Sequence, residues 1–138
     1  MVMEIELEKL TDYAQSVNVI CDGTTETYEV GTDKFNEICA EWNNMLDGAH
    51  EMPAFGVSLN DYTVKEMNSG VWAEFVFGRT LSANGMPFDR LLVNAKPKDY
   101  GFNIIRHTAE SGYDGRCFYY DLVGKTTNAF YNCLINAK

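Results

Sequence analysis

From residue 33 onward the apolar positions fall at Phe35, Ile38, Cys39, Trp42, Met45 and Leu46. Steps of three and four of this kind make one stripe along an α-helix. Asp33, Asn36, Glu37, Glu41, Asn43 and Asn44 occupy the other side. The pattern predicts a helix over about 33–47, opened by Thr32 or Asp33 as N-cap. Gly48 closes it, because glycine takes the left-handed C′ conformation without steric cost.

Before this helix the period drops to two. Val17, Val19 and Cys21 alternate with polar residues, Asp22-Gly23 marks a tight turn, and Thr25–Val30 reads as the returning strand. Residues 1–16 carry two patterns at once: Ile5 and Leu7 alternate, while Leu7, Leu10, Ala14 and Val17 nearly fit a helix. Pro53–Leu59 reads as a short strand, and Ser58 or Asn60 would cap a brief helix ending near Gly70. Four strands follow, at about 71–79, 88–95, 100–107 and 117–123. Ser82-Ala83-Asn84-Gly85, Lys96-Pro97-Lys98-Asp99 and Glu110–Gly115 separate them, and such short connections predict an antiparallel meander. A last amphipathic helix, about Thr126–Ala137, places Phe130, Cys133, Leu134 and Ala137 on one side. The sum is one α+β domain over residues 1–138. Its antiparallel sheet combines an N-terminal hairpin with the meander, and the helices gather on one face.

Strand parity divides the sheet's side chains. Phe75, Phe77, Leu91, Val93, Phe102, Ile104, Phe118, Tyr120 and Leu122 form the expected core face. The other face is mixed: Trp72, Glu74, Val76, Leu92, Asn94, Asn103, Ile105, His107, Tyr119 and Asp121. Antiparallel sheets ordinarily leave one face wet, which accounts for such a mixture without any function. Aromatic rings, amides and carboxylates together are also what a shallow ligand site or a protein interface needs. Trp72, Glu74, Asn94, Asn103, His107, Tyr119 and Asp121 are therefore the candidate ligand or partner face.

Charge adds an asymmetry. Of the net −9, the first 70 residues carry three lysines against fourteen acids, and all four arginines come later. A meander would bring Arg79, Arg90, Arg106 and Arg116 to one end of the sheet, with Lys96 and Lys98 at the other. Arginine forks suit carboxylates and phosphates, so this cluster is a candidate anion site. Asp89, Glu110 and Asp114 lie in the same turns, and surface ion pairing is the simpler role. Net negative charge disfavours nucleic acid and anionic membrane, both polyanions. The acidic N-terminus is unlike a secretory signal, and no apolar run approaches the ~20 residues of a membrane span. With four dispersed cysteines and no CxxC pair, the chain reads as cytoplasmic with reduced thiols.

Catalytic patterns are missing. There is no GxGxxG, no P-loop and no GxSxG, and the cysteines, His50 and His107 lack zinc-type spacing. Glu74 with Asp121, as acid and base, and His107 with Cys117, as base and thiol, are the pairs that parity brings to one face. Each lacks the further groups that such chemistry requires. No catalytic residue, metal or cofactor is assigned. The expectation is an acidic interaction module of accessory, inhibitor or immunity type, acting on another protein or on a second copy of itself. The alternative is a small-molecule or anion-binding protein, or an unfamiliar enzyme, using the polar-aromatic face.

Overall fold

In the computed structural model, residues 2–52 and 56–136 are described. The helical stripe becomes α1 (Asp33–Leu46). The Thr32 side chain accepts from the Phe35 amide at 3.3 Å, and Gly48 follows the helix at φ +80°. The Asp22-Gly23 turn joins β2 (Ser16–Cys21) to β3 (Thr24–Glu29), with φ of +48° and +86° at the two turn residues. Residues 2–16 hold a short strand and a helical segment in succession, but neither follows the expected pattern: Ile5 lies outside the strand, and Ala14 and Val17 lie beyond the helix. A two-residue strand, β1 (Met3–Glu4), is followed by a 3-10 helix (Leu7–Asp12) that buries Leu7 and Leu10.

The meander forms as expected, from β6 (Val71–Ala83), β7 (Met86–Ala95), β8 (Gly101–His107) and β10 (Phe118–Asp121). Among the described residues the main sheet has eight strands, in the order β3-β2-β6-β7-β8-β10-β4, and β1 runs parallel to the far end of β6. β4 (His50–Met52) is an edge strand beside β10, with all three residues exposed and no alternation to announce it. The first meander hairpin is longer than its predicted 71–79 and 88–95. β6 bulges between Val76 and Leu81, with Gly78 at φ +72°, and pairing then resumes as far as Ala83 and Met86. Of the expected strand Pro53–Leu59, β5 (Val57–Ser58) is present and pairs with β9 (Gly115–Arg116), while residues 53–55 lie outside the described residues. The last helix is α3 (Asn128–Ile135), and Ala137 likewise lies outside them.

α1 and α3 cover the predicted core face. Trp42 is fully buried among the rings of Phe75, Phe102 and Phe130, at centroid distances of 5.1, 5.5 and 5.5 Å. Its indole N–H is buried without a hydrogen-bond partner among the described residues, so packing alone holds it there. The third helix, α2 (Asn60–Glu66), corrects the expectation of helices on a single face. It ends at Glu66 rather than near Gly70, and it stands over the mixed face, where Met67 just beyond it joins a second apolar cluster of Ile20, Trp72, Leu92 and Tyr113.

Candidate functional site

Three cross-strand rows run over the mixed face. One carries Ile20, Trp72, Asn94, Asn103, Tyr119 and Met52. Trp72 pairs with Ile20 and Asn94, and Tyr119 pairs with Asn103 and Met52. Asn94 and Asn103 lie one step beyond the paired Val93 and Ile104. The next row is Asn18, Glu74, Leu92 and Ile105, and the third is Ser16, Val76, Arg90 and His107. Four of the seven residues singled out by parity therefore stand in one line, an aromatic at each end and two amides between.

This face is not simply wet. The 108–114 loop lays Tyr113 over Leu92 and hydrogen-bonds its hydroxyl to Glu74, which is buried. Asn18 Nδ2 donates to the other Glu74 oxygen at 3.2 Å, and Arg90 Nη1 stands 3.8 Å from that same oxygen. Burial, and then the adjacent Glu74 charge, push the Tyr113 phenol above its usual range, so it remains a donor. His107 Nδ1 lies 2.6 Å from Asp89 Oδ1, and its ring meets Tyr113 edge-on at 4.8 Å. Glu74 and His107 thus belong to the network that fastens the loop.

The same loop fastens α2. The Asn60 amide donates to Asp114 Oδ1, and Asn60 Oδ1 accepts from the Tyr113 amide at 3.0 Å. Neither Ser58 nor Asn60 is the N-cap residue. Leu59 holds that position without a side-chain bond, and the Ser58 hydroxyl instead meets Thr63 Oγ1 at 2.6 Å. Gly112 is needed where Asn60 approaches, since a Cβ there would collide with Asn60 Oδ1.

Between α2 and the sheet lies a groove of about 400 Å³. Trp72, Asn94, Asn103 and Tyr119 form its floor, Tyr62, Thr63 and Glu66 of α2 one wall, and Lys96 and Asp99 the β7–β8 end. Trp72 is buried and its Nε1 donates to Ser69 O at 2.8 Å, so it closes the floor without offering an open ring face. Tyr119 lies across Gly101, where a Cβ would come within 2.6 Å of the phenol oxygen. Neither Asn94 nor Asn103 has a side-chain hydrogen bond among the described residues. Tyr62, Glu66 and Asp99 carry no sequence pattern that marks them. They reach the groove through the standing position of α2 and the path of one turn.

The remaining sequence candidates sit elsewhere. Asp121 is exposed on β10, where its Oδ1 accepts from the Val123 amide at 2.9 Å. β7 and β8 separate it from Glu74, and its partner Gly101 lies four residues along β8 from Ile105 of the Glu74 row, which puts the two carboxylates roughly 20 Å apart at ordinary strand spacing. Cys117 is buried, and burial pushes its thiol up despite the nearby Arg106 cation, opposite to what a nucleophile needs. All four arginines lie at one end of the meander but divide between its faces. Arg106 is spent on backbone, donating to Arg116 O at 2.8 Å and Pro87 O at 2.9 Å. Arg79 and Arg90 share a hollow of about 240 Å³ with Asp89, and Glu74 sits beside Arg90, so carboxylates match the two cations.

No group of three or more His, Cys, Asp or Glu side chains among the described residues is arranged to hold a metal ion. No helix among them is long and apolar enough to cross a membrane. Compared with known proteins, the chain matches no family, no curated protein and no solved structure.

Proposed function

We propose that this chain is a binding protein without catalytic machinery, and that its site is the groove between α2 and the sheet. One observation carries the reading: Asn94 and Asn103 stand side by side on the floor with their amide groups unspent among the described residues. Two amides offer paired donors and acceptors, Tyr62 adds an aromatic wall and Tyr119 an aromatic ring beside the amides in the floor. The volume lies within the range of small-molecule sites. Glu66 and Asp99 are the carboxylates that line the groove with them, and neither an activated thiol nor a metal cluster joins these among the described residues, so binding rather than turnover is the function these groups support.

The test is ligand mapping by nuclear magnetic resonance with a panel of small polar molecules, read at the Asn94 and Asn103 side-chain amides. Saturable shifts at both amides, lost in the Asn94→Ala, Asn103→Ala double variant, support the reading. Binding that maps elsewhere and survives the double variant overturns it.

A second reading, docking of another protein, is supported by a run of exposed apolar residues beside the groove: Val57, Leu59, Tyr62 and Val64. The acidic side of α1 supports it less, since Lys34 already engages Glu37 at 3.2 Å. A partner seated on this run would be lost in Leu59→Ser with Val64→Ser, substitutions that leave the groove floor untouched.

A further inference from the structure

Resting on the groove reading, we infer that the ligand is a small amine-bearing molecule, its ammonium group held between Glu66 and Asp99 and its hydroxyl or amide groups facing Asn94 and Asn103. Three charged side chains line the groove, and two of them are these carboxylates, one on the α2 wall and one at the β7–β8 turn. Glu66 is exposed and Asp99 half-buried, so both carboxylates are open to a cation in the groove. Glu66 accepts from the Tyr62 hydroxyl at 3.3 Å, which couples the carboxylate to an exposed aromatic ring beside it. Asp99 has its backbone pinned by Thr127, its amide donating to Thr127 Oγ1 at 3.1 Å and its carbonyl accepting from the Thr127 amide at 2.9 Å. Its carboxylate has no partner among the described residues.

Ring faces attract ammonium groups, and the carboxylates supply the larger charge term. Lys96 shares the turn with Asp99 and would meet an acceptor oxygen of the same ligand, which favours a polar amine over a bare hydrocarbon one. The whole chain adds a field of the same sense, because a net charge of −9 concentrates cations near the surface and repels anions. A phosphate-bearing ligand would have to approach both carboxylates against that field. Aminosugars, amino-acid amides and short oligoamines are the molecules that fit.

Matched probes separate the cation from the rest of the ligand: glucosamine against glucose, and putrescine against butanediol. Each is titrated into the full chain at moderate salt and read at the Asn94, Asn103 and Tyr119 signals. The expected result is saturable binding of the amines, with the uncharged counterparts at least ~10-fold weaker, the ratio that one modest charge-assisted contact supplies. Asp99→Asn and Glu66→Gln should each weaken the amines several-fold, weaken the uncharged probes distinctly less and keep the thermal midpoint.

Equal binding of amine and uncharged partner overturns the amine inference and leaves the groove reading standing. Absence of shifts at the Asn94 and Asn103 amides with every probe removes both. Amine shifts that scatter over the acidic surface and ignore Asp99→Asn mean counterion association only, and likewise overturn it.

Discussion

The two faces of one sheet are covered in different ways. Over the core face lies the 14-residue α1, whose whole apolar stripe is buried and whose Trp42 reaches three aromatic rings. Over the mixed face stands the seven-residue α2, of which Thr63 is the buried residue, tied down at one end by Asp114, Asn60 and Ser58. A cover driven by apolar burial fills the space beneath it. A cover fastened by polar bonds at its margin can stand away from the sheet, and here it leaves a groove with two unspent amides in the floor.

The hardest test of the first half of that contrast is Trp42→Ala. It empties the centre of the core and should cost about 3–5 kcal/mol in urea unfolding, a large share of the stability of a chain this size. A loss below about 1 kcal/mol would mean that α1 is no better packed than α2, and the contrast would fail.

Tyr113→Phe tests the second half. It leaves a buried carboxylate oxygen of Glu74 without its hydroxyl donor, a change worth about 1.5–3 kcal/mol for a bond to a charged group. Amide exchange should quicken over 108–114 and α2 and stay slow in α1. Equal quickening in α1 would join what the comparison separates. The alkaline side adds a signature. Tyr113 and Tyr120 titrate above the ordinary phenol value near 10, and Tyr28 is pushed up to about 12, in each case chiefly by burial. Folded phenols therefore keep protons that the unfolded chain has released. Their contribution to stability is whole below about pH 10 and is lost as pH rises through the folded values. In Tyr113→Phe the decline of unfolding free energy above pH 10 should be shallower, measured by urea titrations at successive pH values.

Much of the well-filled side was legible in the sequence, because burial writes a period. The α1 stripe, the Asp22-Gly23 turn and the alternation of Phe75, Phe77, Leu91 and Val93 each record one local geometry. Parity likewise placed Trp72, Asn94, Asn103 and Tyr119 together, since a regular meander carries register across strands. The position of α2 was not legible. It depends on hydrogen bonds between Asn60 and residues 113 and 114, more than fifty positions away, and such bonds leave no periodic trace. β4 escaped for a related reason: an edge strand exposed on all three residues has no apolar beat. The arginines came to one end as the turns implied, but parity and the β6 bulge then divided them between faces.

Gly101→Ala tests how finely the floor is set. The new methyl would press on the Tyr119 phenol and on the Tyr120 carbonyl at 2.7 Å, for a cost of about 1–3 kcal/mol. The loss should come with displaced Tyr119 ring signals and weaker ligand binding. Unmoved ring signals would mean that the tyrosine is not seated by close approach to the glycine.

The smallest expected effect on stability is the most telling for function. Asn94→Ala and Asn103→Ala remove amides that bond nothing among the described residues, so unfolding free energies should stay within about 0.5 kcal/mol of the unaltered chain. Core residues cannot be cut back at so little cost, because their neighbours depend on them. Groups that serve a ligand can be, because the partner they serve is absent when the chain folds. If either alanine destabilises by about 2 kcal/mol or more, that asparagine is a structural member of the sheet face, as Glu74 is, and the groove loses the feature that makes it a site.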